Sequence, residues 1–293
     1  MKAAPFTYHR PGSLDDAVDL LGSLGTEVKV ISGGQSLVPL MNLRAVRPEH
    51  LVDVGALDAL RGVSRRDDGT IVIGALTTYR EVELSETIAA ACPVLAEAAR
   101  WIGHEPIRTR GTVGGNLAHA DPAAELPAIM VLLDAEIVAV SSRGTRVVPA
   151  TAFLLSFFTT ALEPDEILTE IRIPPPASDS GWGFAEVSRR PGDLALVGAA
   201  ALVERETDGE EQRIGSARVV TFGVSPTPTR AIAAEALAAG RQPGSQLWNE
   251  MAAAAVSDLE PFGDLHASAA YRAHVARALV ARVLAEAVGR WPS

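Results

Sequence analysis

Residues 27–40 read EVKVISGGQSLVPL. Val28, Val30 and Ile31 give the first part the β-branched content of a strand. Gly33 and Gly34 follow at once, then Gln35 and Ser36. A tight turn needs one glycine as a rule, so a second beside it signals that another group comes close to the main chain. Consecutive backbone N–H groups in such a turn form a concave nest suited to phosphate oxygens. Gln35 and Ser36 add side-chain donors without adding charge.

A second stretch has the same character. Residues 110–136 read RGTVGGNLAHADPAAELPAIMVLLDAE. Gly114 and Gly115 stand between Thr112 and Asn116, again neutral donors beside paired glycines. Asp121 suits an N-cap and Pro122 a first helical position, with Leu126, Ile129, Met130 and Leu133 on one helical face. Either stretch alone is equally well explained as a turn that tolerates glycine; two together favour a phosphate cradle. The common nucleotide signatures G-x-x-x-x-G-K-[ST] and G-x-G-x-x-G are absent. So is the G-x-S-x-G nucleophile elbow, because Val38 stands where its second glycine belongs.

Outward from these segments, Ser13 and Asp16 predict a helix start, with an apolar face at Ala17, Val18, Leu20, Leu21 and Leu24 and a stop at Gly25. LVDVGAL and TIVIGAL read as strands. Thr78 and Glu81 cap a second helix running to Ile102. EIVAVSSRGTRVVPA predicts a hairpin turning near Arg143-Gly144, and DEILTEIRIPPP a strand closed by Pro174 to Pro176. That proline run sets a boundary between residues 1–176 and 177–293. Beyond it, GFAEV, LALVGAAALVE and IGSARVVTFGV predict antiparallel strands, with a turn at Asp208-Gly209. Helices are expected over 232–239, 246–259 and 268–288. Strands followed by helices indicate an α+β fold, and the lack of strict βαβ alternation argues against a Rossmann sheet.

The totals narrow the function. The chain has 293 residues, 47% of them hydrophobic, enough for a large core. A formal charge of −10 opposes a nucleic-acid-binding face, which needs clustered Lys and Arg. The single cysteine, Cys92, rules out an intrachain disulfide or a Cys-ligated iron–sulfur cluster. No segment has the apolar length of a signal peptide or membrane span, so no membrane span and a cytoplasmic setting are expected. The six histidines include no i, i+4 pair, and no metal site is expected. The acidic pairs Asp15-Asp16, Asp67-Asp68 and Glu210-Glu211 read as solvated surface.

KVISGGQSLVPLMNLR and IRTRGTVGGNLAHADPAAELPA resemble the two FAD-binding segments of the flavoprotein (medium) subunit of molybdenum hydroxylases, the xanthine dehydrogenase and aerobic carbon monoxide dehydrogenase group. The likeness extends from FTYHRPGSLDDAVDLL to SRRPGDLALVGAA. It implies an α+β fold: a vanillyl-alcohol-oxidase (PCMH) type FAD domain of two subdomains, then a C-terminal α+β domain with an antiparallel sheet and helices. It implies that Ser32, Gly33, Gly34, Gln35, Ser36 and Leu37 wrap the FAD pyrophosphate. Thr112, Val113, Gly114, Gly115 and Asn116 would form the second cradle, with Asp121 nearby. Glu125 stands where the family usually has an aspartate near the ribose. Leu168 would pack on the adenine side. The RRPGDLA loop would approach the isoalloxazine through Asp193 and Leu194, where some relatives carry an aromatic. Glu105, Pro106 and Thr109 depart from the family's common HPQIRNRGT pattern.

The resemblance further implies noncovalent FAD, although His104 or Cys92 could in principle carry a covalent link in the wider fold. Molybdopterin and two [2Fe–2S] clusters would sit on a large and a small partner subunit, in a dimer of heterotrimers. This chain would carry no catalytic proton-transfer group of its own and would pass electrons to an external acceptor. Two other readings stay open at this level: a self-sufficient FAD oxidoreductase on the same fold, and a non-catalytic nucleotide-binding module.

Overall fold

The computed structural model describes residues 2–175, 177, 179–208 and 211–291. Among these, four sheets form. The first is small and wholly parallel, ordered Thr7–His9, His50–Asp53, Val28–Ile31. The second is antiparallel, ordered Val63–Arg65, Ile71–Gly74, Ile167–Ile173, Glu136–Ser141, Gly144–Pro149. The third is also antiparallel: Ser180–Val187, Val197–Asp208, Glu211–Phe222 and Thr229–Arg230. A two-stranded hairpin, Leu154–Ser156 with Thr159–Thr160, completes the set. The fold is α+β, as expected. In the parallel sheet, Thr7–His9 leads through Leu14–Leu24 to Val28–Ile31, and that strand through Leu37–Asn42 to His50–Asp53, so both crossovers pass through a helix.

The first helix, Leu14–Leu24, starts where Ser13 Oγ accepts the Asp16 N–H at 3.1 Å and ends at Gly25 with φ 70°. Its Ala17, Val18 and Leu21 are buried against the parallel sheet's Val28 and Val52. The single helix expected from Thr78 to Ile102 is instead three: Tyr79–Leu84, Glu86–Ala91 and Pro93–Trp101. The expected capping box at Thr78 and Glu81 is present. Ser85 then recaps the chain at Ile88 N–H, and Pro93, lacking an N–H, must start a new helix.

The helix after the second glycine pair also starts later than expected. It spans Glu125–Leu132, with Ala124 as N-cap, while Asp121 Oδ1 accepts the Ala123 N–H at 2.9 Å in a local turn. A start at Pro122 would place Pro127 in the helix interior, where it breaks a backbone bond. Starting at Glu125 leaves Pro127 in the first turn, where no partner is needed. Every residue from Glu125 to Leu132 is buried, so the apolar face is in fact the whole circumference. The helix is packed between helix Pro93–Trp101 and the long strands of the third sheet. Its Leu126, Ile129, Met130 and Leu132 are fully buried, each stabilising by roughly 1.5–3 kcal/mol.

The largest core cluster runs from Ile71 to Phe222 and includes Phe184, Ala200 and Val220 of the third sheet. Helices Ser245–Ser257 and Ala269–Gly289 cover that sheet's other face with a second cluster, centred on Met251, Val280, Val283 and Leu284. The helix expected over 232–239 is limited to Ile232–Glu235. Pro176 and the Gly209 of the expected turn lie outside the described residues, as does Glu210.

Candidate functional site

Strand Val28–Ile31 delivers the chain to Ser32, and the turn bends at Gly34, whose φ is 72°. Val38 N–H then bonds Gly34 O at 3.1 Å as helix Leu37–Asn42 begins. The N–H groups of Gly33, Gly34, Gln35 and Ser36 make no hydrogen bond among the described residues. An unspent array of this kind is what a bound phosphate requires.

The second segment is built differently. The paired glycines lie not in a loop but in the first turn of helix Val113–His119, with Thr112 as N-cap. Val113 N–H bonds Thr77 O at 2.9 Å, Gly114 N–H bonds Ala75 O at 2.8 Å, and Gly115 N–H bonds Thr112 Oγ1 at 3.1 Å. These N–H groups are spent on the protein itself, so a backbone nest exists only in the first segment. Glycine is required for close packing instead. A Cβ at Gly114 would lie 2.6 Å from the Ala75 Cβ, and one at Gly115 would lie 2.7 Å from Ser32 Oγ. A Cβ at Gly33 would lie 2.1 Å from Arg110 O.

The glycines therefore let two segments distant in sequence touch. Ser32 Oγ and Thr112 Oγ1 are 3.0 Å apart, sharing a hydrogen bond. Two adjoining cavities open beside this contact. The larger, about 390 Å³, is walled by Tyr8, Ile31, the Ser32–Gln35 turn, Val38, Pro39 and Asp53. The smaller, about 270 Å³, is walled by Arg10, Ser32, Gly55, Arg61, Thr78, Thr109 and Thr112. Gly33, Asp53 and Arg110 belong to both. Tyr8 donates its hydroxyl to Asp53 Oδ2, which holds the phenol above its usual pKa.

Of the residues singled out from the sequence, Ser32, Gly33, Gly34, Gln35 and Thr112 line this trough. Ser36 is exposed and Leu37 half-buried, both in the turn's exit into its helix. Val113 and Gly114 are buried behind Thr112. Asn116 presents a buried Oδ1 with no hydrogen-bond partner. Leu168 is buried in the central core, on a strand whose Thr169 carbonyl accepts the Ala75 N–H at 2.9 Å behind the second segment. Asp121 holds its own turn. Sequence reading missed Tyr8, Arg10, Asp53, Arg61, Thr78 and Arg110. Arg110 directly precedes the second glycine run and Arg10 lies in the HRPG start, so position beside known motifs was the available signal.

Glu125 is 3% exposed, and burial pushes its carboxyl up to about 7. Glu186, on strand Ser180–Val187, is also buried; burial and the neighbouring Glu125 push it to about 8, and its Oε2 has no partner. Burial also raises the Tyr79 phenol. Cys92 is buried in the core, with its thiol pushed up to about 11 by burial.

The RRPGDLA loop is separate from the trough walls. Asp193 N–H bonds Arg190 O at 3.1 Å, and Leu194 is 59% exposed. Gly192 rests on His104: a Cβ there would lie 2.4 Å from the His104 Cε1. His104 heads the short helix Glu105–Arg108, so it braces this loop. His119 packs on Phe158 with ring centroids 5.1 Å apart, and burial lowers its pKa. Among the described residues, no group of three or more His, Cys, Asp or Glu side chains is arranged to hold a metal, and no helix is long and apolar enough to cross a membrane.

Comparison with known proteins matches this architecture. Residues 4–176 match the family described as FAD binding domain in molybdopterin dehydrogenase, and residues 182–287 the CO dehydrogenase flavoprotein C-terminal domain. The chain is 42% identical to the 6-hydroxypseudooxynicotine dehydrogenase complex subunit alpha of Paenarthrobacter nicotinovorans, over 99% of this chain and 97% of that protein. It is 36% identical to the carbon monoxide dehydrogenase medium chain of Hydrogenophaga pseudoflava, over 97% of this chain and 98% of that one. A solved carbon monoxide dehydrogenase from Hydrogenophaga pseudoflava superposes with TM-score 0.95 at 38% identity, covering 100% of both chains. Quinoline 2-oxidoreductase from Pseudomonas putida 86 gives TM-score 0.92 at 35% identity, covering 99% of both. The chain belongs to the FAD-binding (medium) subunits of the molybdenum hydroxylases, flavoprotein oxidoreductase components of the xanthine dehydrogenase and carbon monoxide dehydrogenase type.

Proposed function

We propose that this chain is the electron-transfer subunit of a heterotrimeric molybdenum hydroxylase and binds FAD noncovalently in the trough between its two glycine segments. The observation that carries this reading is the 3.0 Å contact of Ser32 Oγ with Thr112 Oγ1, which joins the two segments into one site. The unspent N–H groups at Gly33 to Ser36 fit a phosphate. When bound, FAD supplies one- and two-electron chemistry, and the protein's task is to hold and tune it. Ser32 to Gln35 line the phosphate end, and Ser36 and Leu37 carry the turn into its helix. Thr112 to Asn116 form the rigid wall against which the first segment packs. Asp121, Glu125 and Leu168 back the site from the core side, and the Asp193–Leu194 loop, braced by His104, faces the flavin ring.

The chain divides functionally into a FAD domain, residues 1–176, and a C-terminal domain, residues 177–293. Substrate oxidation would occur at molybdopterin on a large subunit, and two [2Fe–2S] clusters on a small subunit would carry electrons to this chain. A lone cysteine buried in the core is consistent with clusters held elsewhere. Relatives named as complex subunits or medium chains support assembly with partners; the proposal takes that assembly as a dimer of heterotrimers in the cytoplasm.

The test is tagged purification from the native host, with partner identification and assay of Mo, Fe and flavin. Two partners with Mo, Fe and FAD in fixed ratio support the proposal. A lone yellow protein without Mo or Fe replaces it with a self-sufficient flavoenzyme, and a colourless one removes the flavin assignment.

A further inference from the structure

We infer that Arg108, aimed by Glu83, is a positioning residue: it fixes the Gly103–His104 turn as the platform on which the RRPGDLA loop stands, and through that loop it sets the surroundings of the flavin ring. This rests on the FAD reading above, in which the loop faces the ring, and adds the residue that holds the loop in place.

The loop is anchored at its ends and supported from below in the middle. Leu196 N–H bonds Val187 O at 2.7 Å, and Arg272 donates to Leu196 O. Between Val187 and Leu196 the chain folds on itself, with Arg190 O accepting the Asp193 N–H at 3.1 Å and the Ser188 hydroxyl at 2.9 Å. Gly192, at φ 84°, lies directly on the turn ahead of helix Glu105–Arg108. A Cβ there would stand 2.4 Å from His104 Cε1, 2.7 Å from His104 Nδ1 and 3.0 Å from Gly103 O. At the loop's other flank, Arg189 Nη1 lies 3.4 Å from His266 Nδ1, a long contact between exposed side chains that constrains less.

The platform itself needs support. Helix Pro93–Trp101 ends just before it, leaving carbonyls without intrahelical partners. Arg108 collects them: Nη1 donates to Arg100 O at 3.4 Å, Ile102 O at 3.3 Å and Gly103 O at 3.1 Å. The shortest of these contacts goes to the carbonyl that Gly192 also meets. Arg108 Nε donates to Glu83 Oε2 at 3.2 Å, which fixes the plane of the guanidinium. The two side chains are only 15% and 12% exposed. Arg80 meets the same carboxylate at 3.0 Å from the more exposed side, and among the described residues it donates to no carbonyl of the turn. A lysine at 108 has one nitrogen and cannot serve both the carboxylate and the carbonyls.

The experiment uses the full-length chain and two readouts. Arg108→Met keeps the side-chain length without its donors, and Arg80→Met is the control. In the flavin-free chain, trypsin cleavage between Arg189 and Arg190, located by mass spectrometry, reports on the loop. It should quicken about tenfold in Arg108→Met and change less than about twofold in Arg80→Met. In the FAD-loaded chain, visible circular dichroism and the dye-equilibrated reduction potential report on the ring's surroundings. Arg108→Met and Gly192→Ala should each shift both while one FAD per chain is retained. The double variant should shift them no further, because both changes act on one contact. Arg108→Lys should fall between Arg108→Met and wild type. If Arg108→Met does not fold, Arg108→Lys and Glu83→Gln carry the same comparisons. Wild-type cleavage, dichroism and potential in Arg108→Met overturn the inference. So does an Arg80→Met chain that matches Arg108→Met, because loss of any partner of Glu83 would then suffice. Faster cleavage with an unchanged flavin signature also overturns it, since the loop would then not reach the ring. A wild-type chain that binds no FAD removes the parent reading instead, and the cleavage comparison still decides whether Arg108 supports the loop.

Discussion

Gly33→Ala is the sharpest probe of how the site is assembled. A Cβ at Gly33 would stand 2.1 Å from Arg110 O and 2.9 Å from both Arg110 C and Gly111 Cα, whereas ordinary contact begins at 3.4 Å. The obstacles are backbone atoms, and no side chain can swing aside. The two segments must part by roughly 1 Å, at an overpacking cost of about 1–3 kcal/mol. Parting them also strains the Ser32–Thr112 hydrogen bond on which the trough depends. If that free energy is charged to cofactor binding, FAD affinity falls about 5–150-fold. If the apo-protein relaxes, the same energy appears as lost stability instead. Fluorescence titration and a denaturant melt on the same sample therefore capture the total. Gly22→Ala is the control. Gly22 lies inside helix Leu14–Leu24 with nothing within 4 Å of a built Cβ, so alanine there should stabilise by about 0.5–1 kcal/mol. A Gly33→Ala chain with both wild-type FAD affinity and wild-type stability would refute the close-packing account of the glycine.

Two further outcomes are expected. Glu125 and Glu186 titrate near 7 and 8 in the folded chain, above the unfolded glutamate value of about 4.3. The folded state thus binds more protons, and this contribution to stability is complete below pH ~4 and lost as pH rises through 7 and 8. The loss is on the order of a few kcal/mol. Urea midpoints of the flavin-free chain should decline from pH 5 to 8, less steeply in Glu125→Gln and Glu186→Gln, and a flat wild-type profile would contradict the burial argument. Arg272 is 2% exposed; it donates to Leu196 O, to Gly223 O at 2.7 Å and to Asp264 at 2.7 Å, tying the end of the RRPGDLA loop to two other segments. Arg272→Ala should cost about 3 kcal/mol in a urea melt, and Arg272→Lys should recover less than half because one ammonium nitrogen cannot stand at both the Nη1 and Nη2 positions that reach these acceptors.

Local features were legible wherever the chain carries its own punctuation. Ser13, Gly25 and the Thr78–Glu81 box each act on residues within one helical turn of themselves, and each appears in the structure as expected. Misreadings occurred where two local signals competed. Asp121-Pro122 is a good helix start by itself, and Pro127 overrules it five residues later. Pro93 likewise divides a continuous apolar pattern into separate helices.

The site was legible as motifs and opaque as an arrangement, and the reason is physical. Paired glycines announce close approach but not what approaches. At Gly33 the neighbour is Arg110 O, and at Gly115 it is Ser32 Oγ. Nothing in ISGGQS specifies a partner some eighty residues away; that pairing exists only once the parallel and antiparallel sheets are placed side by side. The same holds for charge. Arg10, Arg61 and Arg110 lie far apart in the sequence. Their common cavity arises because Arg10 directly follows one edge strand of the parallel sheet, Arg61 lies on the link between the two sheets, and Arg110 closes the short helix ahead of Thr112. A net charge of −10 argues against a polyanion-binding face, yet it carries no information about three arginines that share one cavity wall. Local charge can oppose the total because a Debye length of about 8 Å at physiological salt screens the distant acidic surface while leaving contacts inside the cavity nearly unscreened.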